Sequence, residues 1–206
     1  MVLNILAKWI AQFLLKNRII EEAENEFYEY GLELLLASVL ELLAVIVISI
    51  FIGKLIFTVL FLLAFCVLRA YAGGYHADSH LKCFLTLLAV YFVFLLMIFL
   101  INKEAVTYLS VAFALISEIL IISMAPIESE NKPLLVEEKD RYKKISILIV
   151  SIESFIVLAL FWLDSSKYFV FAVSYGQISA AISLAAVKIL KTKRSNENDV
   201  NEKLND

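Results

Sequence analysis

The chain has 206 residues, 62% of them hydrophobic, and a mean hydropathy of +0.85. An ordinary soluble domain is about 45 to 50% apolar, so the composition excludes one and points to an integral membrane protein. The net charge of −3 and the pI near 5.5 carry no global basic bias, which argues against a nucleic-acid partner.

In chain order, Leu3, Leu6, Ile10, Phe13 and Leu14 recur at helical spacing, with Asn4, Lys8, Gln12 and Lys16 elsewhere around the wheel. This predicts an amphipathic interfacial helix within residues 1–30, lying on the inner leaflet. The polar interruptions and the lack of a small-x-small cleavage pattern argue against a secretory signal. An acidic run, "EEAENEFYEY" from Glu21, leads into the first span.

Because only a helix satisfies its own backbone in lipid, about 20 apolar residues are needed to cross a core of about 30 Å. Six stretches within residues 34–189 qualify: Leu34 to Ile52, Leu55 to Ala72, Cys83 to Ile101, Ala105 to Ala125, Ile145 to Leu163 and Tyr168 to Ile189. The prediction is an all-α integral membrane protein, one embedded domain over residues 1–190. Between spans four and five, "APIESENKPLLVEEKDRYKK" holds both prolines and ends in a basic cluster, so it reads as a true loop. Residues 191–206 have no apolar face and are expected to be disordered.

Lys and Arg are retained on the cytoplasmic side of a membrane. With the N-terminus inside, only Lys54, Lys103 and Lys167 lie outside, and the other 15 of the 18 basic residues lie inside. Both termini are therefore expected to be cytoplasmic, and the segment between spans two and three faces the same side.

That segment, "RAYAGGYHADSHLKC" from Arg69 to Cys83, holds both histidines and one of the two cysteines. Gly73 and Gly74 allow backbone conformations closed to other residues and would end span two. Asp78 or Ser79 could cap a new helix, placing Cys83 about one turn in, where the partial positive charge of a helix N-terminus would help a thiolate form. A cysteine relieved of its proton by a histidine is a strong nucleophile that supports acyl transfer through a thioester. On one straight helix His76 would stand about 10.5 Å from Cys83 along the axis, seven steps away. His76 can serve as base only if the glycines and a break near Ala77 fold it back, whereas His80 is a same-face neighbour of Cys83. The residues alone leave the two histidines equal.

Two other readings compete. His76, His80 and Cys83 have an H-x3-H-x2-C spacing that could supply three metal ligands on one helical face, although Asp78 lies off that face and no Glu stands by as general base. The plainest reading is a pair of interfacial histidines beside a core cysteine. The cysteines are too few for a disulfide framework, and no cofactor is expected.

The pattern R-x3-G-G-x-H-x6-C, here Arg69, Gly73, Gly74, His76 and Cys83, resembles the accessory gene regulator protein B (AgrB) family of quorum-sensing peptidases in the bacterial cell membrane. The likeness extends over roughly residues 1 to 190 to the chain length, amphipathic start, spans and the loop residues Ala125, Pro126, Asn131, Lys132, Pro133, Lys143 and Lys144. The resemblance implies a membrane cysteine endopeptidase that cuts the C-terminal part off a small AgrD-like propeptide. It implies His76 as base and Cys83 as nucleophile, a thioester intermediate that leads to a cyclic autoinducing peptide, and a homodimer.

Elsewhere, Arg69 could snorkel to the interface or bind a substrate carboxylate or oxyanion. Lys143 and Lys144 could hold anionic lipid or bind an acidic propeptide segment. Glu41, Glu118 and Glu153 lie inside spans, where a carboxylate is costly unless paired or wet. Gln177 suits an interhelical hydrogen bond, and Cys66 reads as a packing residue. The rival function is a small transporter or channel with a buried carboxylate and histidine path. It would call for polar residues spread along matching spans, whereas here they gather at one end.

Overall fold

The computed structural model describes residues 2–73, 80–127, 136–162 and 167–205, giving the backbone alone for 2, 80, 136 and 194–205. Among the described residues the regular elements are all helices: α1 (Val2–Lys16), a 3-10 turn (Glu22–Glu24), α2 (Asn25–Ile52), α3 (Leu55–Ala72), α4 (His80–Leu100), α5 (Lys103–Met124), α6 (Val136–Trp162) and α7 (Lys167–Asn205). Six of these helices, α2 to α7, are long and apolar enough to cross a membrane. They form two compact units, one of Met1–Gly53 with Ala77–Leu88 and one of Lys54–His76 with Ala89–Asp206.

The predicted spans reappear, and three helices run beyond them. α2 starts at Asn25, α6 at Val136, and α7 continues to Asn205 through the run read from sequence as a disordered tail. Once a helix is nucleated, each further residue adds a hydrogen bond for little ordering cost, so polar flanks extend it past the bilayer. At 1.5 Å per residue the 28 residues of α2 measure about 42 Å, longer than the hydrocarbon core.

In the first unit, α1 folds back along the start of α2. Asn4 donates from Nδ2 to Glu33 Oε2 at 3.0 Å, and Lys8 pairs with Glu29 at 3.3 Å. As the number rises by four on α1 it falls by four on α2, so the two helices are antiparallel. Ala7 and Ala11, both fully buried, share the face of Asn4 and Lys8, while Ile5, Trp9 and Phe13 are exposed. The predicted surface helix is thus tied to α2 by its polar side, and its aromatic side is turned outward. α2 ends at Gly53, whose φ of +70° is the left-handed conformation that glycine adopts without cost and whose N–H bonds Ile50 O at 3.1 Å.

In the second unit α7 is the central helix: 72% of its spanning window is buried, against 22 to 39% for the others, and it packs on α3, α5 and α6. Its small residues, Ala172, Ser174, Gly176, Ala180 and Ala181, are why its neighbours come so close. Phe171 and Tyr175 of α7 cluster with Phe61 and Phe94, centroids 5.1 to 5.9 Å apart, the Phe61–Phe94 and Phe94–Phe171 rings stacked and the others tilted. Tyr175 donates to Val90 O at 3.0 Å, and the Thr58 and Tyr91 hydroxyls meet at 2.9 Å.

Several polar side chains inside this unit are paired at short range, whereas Glu153 Oε2 and Gln177 Oε1 are buried with no hydrogen-bond partner. Ser110, Ser117 and Ser174 donate to carbonyls one turn back on their own helices. Gln177 makes the interhelical bonds its position suggests, donating from Nε2 to Val150 O and Ser154 Oγ at 3.3 Å each. Ser151 donates to Glu118 at 3.2 Å, joining α6 to α5. Large apolar side chains such as Phe51, Leu100 and Trp162 are exposed instead, as suits a surface solvated by lipid.

Two glycines make a matched test. A Cβ on Gly176 would stand 2.7 Å from Phe61 O and 3.0 Å from Phe65 N, whereas one on Gly31 would meet nothing within 4 Å. Gly176→Ala is expected to lose on the order of 2 kcal/mol, because α3 backbone must retreat. Gly31→Ala should gain about 0.5 to 1 kcal/mol, because alanine loses less conformational entropy in a helix. Thermal unfolding in detergent reads both signs.

Candidate functional site

The conspicuous stretch begins where α3 ends. Arg69, half-buried on the last turn, holds its guanidinium over the Phe65 ring one turn earlier, 5.5 Å from the centroid. Gly73 closes the helix with its N–H on Arg69 O at 3.1 Å, then turns to φ +83° and ψ −166°. That region belongs essentially to glycine, which explains the residue type at the stop that the sequence predicts.

Gly73 has a second duty that the sequence did not disclose. The Ile127 N–H donates to Ala72 O at 3.0 Å, and a Cβ on Gly73 would collide with the Ile127 carbonyl oxygen. The Pro126–Ile127 segment after α5 is therefore strapped onto the end of α3. Gly73→Ala meets both the strained φ and the collision, so it is expected to lose at least about 2 to 3 kcal/mol. Limited proteolysis should then show earlier cutting between α5 and α6 than in the parent protein.

Tyr71 meets Tyr142 edge-on with centroids 5.9 Å apart, tying the end of α3 to the start of α6. Next to Tyr142, Lys143 and Lys144 are exposed on α6. Two parts of the predicted site, Arg69 with Gly73 and Lys143 with Lys144, thus share one region of the second unit with the Ala125–Pro126 pair of the family-like loop.

Cys83 belongs to the first unit. It sits half-buried at the end of the first turn of α4, which begins at His80. Residues 74–79 lie outside the described residues, and with them Gly74, His76 and the break expected near Ala77. The side chain of His80 lies outside them too, so the three-ligand metal reading falls largely there as well. Cys66 is half-buried on α3, one turn before Arg69.

The accessory gene regulator B family profile matches residues 7–186. The chain belongs to the accessory gene regulator B family. AgrB relatives agree over most of their length. A putative AgrB-like protein 2 of Clostridium perfringens (strain 13 / Type A) is 27% identical over 165 residues, covering 76% of this chain and 75% of that protein. The accessory gene regulator protein B of Staphylococcus aureus (strain MW2) is 26% identical over 179 residues, covering 86% of this chain and 91% of that protein. The protein of the same name from S. aureus (strain bovine RF122 / ET3-1) is 29% identical over 151 residues, 71% of this chain and 79% of its own. No solved structure matches the chain. AgrB membership gives this multi-pass membrane protein a role in accessory gene regulator quorum-sensing processing.

Proposed function

We propose that the chain is a membrane cysteine endopeptidase that cleaves the C-terminal part from an AgrD-like propeptide and holds the remainder as a thioester on Cys83. The observation that carries this reading is the family match over residues 7–186, a range that includes the stretch from Arg69 to Cys83. The position of Cys83 in the first turn of α4, shortly after α3 stops at Gly73, supports it.

His76 takes the proton of the Cys83 thiol as Sγ attacks the scissile carbonyl. The tetrahedral oxyanion is stabilised by a positive group, for which Arg69 is the candidate. Collapse breaks the C–N bond, His76 returns its proton to the leaving amine, and the truncated peptide remains as an acyl group on Sγ. A Cys or Ser side chain of the substrate then attacks the thioester, closing a thiolactone or lactone ring and restoring the Cys83 thiol. Exchange between thiols is nearly isoenergetic, and a site that keeps water away favours ring closure over hydrolysis.

In this reading both termini and the active site face the cytoplasm, following the distribution of Lys and Arg. Gly73 and Gly74 shape the turn that presents His76. Lys143 and Lys144 engage an acidic segment of the propeptide or the lipid beside it, and the enzyme acts as a homodimer.

The test uses the full chain in lipid nanodiscs, mixed with synthetic propeptide and quenched in acid at short times. Intact mass should show a protein species heavier by the truncated peptide, released by hydroxylamine and mapped by digestion to Cys83. Fragment release while Cys83 stays fully open to alkylation at every time point would overturn the thioester.

A further inference from the structure

At the end of the second unit where α3 stops, a cavity of about 340 Å³ is lined by Pro126, Ile127, Lys139, Lys188, Lys191 and Thr192. Lys139 comes from the first turn of α6, while Lys188 and Lys191 stand three residues apart on one face of α7. Three lysines from two helices thus border one open hollow, with the Pro126–Ile127 strap as its wall.

The geometry points to a binding site for a phosphate-bearing anion, supplied by the headgroup of an anionic phospholipid. Lysine ammonium groups donate and phosphate oxygens accept, so the chemistry is complementary, while the Thr192 hydroxyl donates to Lys188 O at 3.0 Å and only borders the site. The place is suitable as well: α7 carries exposed Ile189 and Leu190 beside Lys188 and Lys191, and Ile122 is exposed on α5 near the same end. Those side chains offer a surface for acyl chains next to a charged cavity, the arrangement found where helices meet the headgroup layer. A volume of this size accommodates one phosphodiester and its glycerol, whereas a peptide strand would also need partners for its backbone.

Occupancy has a structural consequence. Ile127 lines the cavity and also donates to Ala72 O, with its carbonyl against Gly73. A bound headgroup therefore ties α6 and α7 to the strap that holds the end of α3. The inference rests on these contacts and stands apart from the peptidase reading.

The test compares the full chain with two double variants of equal charge change, Lys188→Gln with Lys191→Gln and Arg141→Gln with Lys193→Gln. Thermal unfolding is followed in mixed micelles as phosphatidylglycerol replaces phosphatidylcholine, and separately with inorganic phosphate. Phosphatidylglycerol should raise the unfolding temperature of the parent chain. Its half-saturating concentration should rise roughly thirtyfold in the cavity variant and stay within about twofold in the matched control, whose charges do not line the cavity. Protection by phosphatidylglycerol alone identifies the lipid as the source. Protection by free phosphate as well, lost in the cavity variant, assigns the same site to a soluble anion. Equal loss in both double variants would overturn the proposal, as would protection by a glutamate-rich peptide with none from either phosphate compound. If the cavity variant does not fold, the single exposed substitution Lys188→Gln carries the comparison.

Discussion

Replacing Cys83 with alanine is expected to slow release of the propeptide fragment by about 10⁴-fold or more, because the nucleophile and the base act as one unit and the loss of either stops the same step. Alanine leaves no atom to carry the acyl group, and water in a lipid-enclosed site is scarce and poorly placed to replace it. Cys66→Ala should retain the rate within about twofold, since a packing residue one turn from Arg69 affects chemistry only through small shifts in the helix. The measurement is the fragment mass over time for the two variants in parallel. Full cleavage by Cys83→Ala would sink the mechanism, and loss confined to Cys66→Ala would move the nucleophile to α3.

The second large effect separates the histidines. His76→Ala should lower the rate by about 10² to 10⁴-fold, the usual contribution of a positioned acid and base, while His80→Ala should keep most of it. Helix geometry favours the opposite outcome at first sight, because His80 opens α4 only three residues before Cys83. His76 gains reach only through a turn of the chain, which starts with the non-helical Gly73. The break near Ala77 lies outside the described residues, and the paired variants test it. Loss in His80→Ala alone would reassign the base to the first turn of α4.

Both expectations trace to features legible in the linear sequence. Each apolar run carries its own membrane signal, since a helix in lipid satisfies its backbone within about 20 consecutive residues. That is why the ends of the first two spans, Ile52 and Ala72, match α2 and α3. The starts of α2 and α6 were less legible. Hydropathy marks where lipid begins, whereas the helices continue through Asn25–Glu33, where Glu29 and Glu33 pair with α1, and through Val136–Lys144, where Lys143 and Lys144 are exposed.

The sequence by itself determined the membrane class, the six spans, and the motif residues Arg69, Gly73, Gly74, His76 and Cys83 that carry the family resemblance, because all of these are local in the chain. The tertiary structure decided what depends on approach between distant segments. It put α7 at the centre of its unit, made Gly176 a contact with α3 backbone, docked α1 on α2 through Asn4 and Lys8, and set Ile127 against Gly73. No periodicity announces such meetings. A glycine at a helix stop and a glycine under another segment's carbonyl are the same letter, and only the packing of α3 with the strap after α5 shows that Gly73 is both.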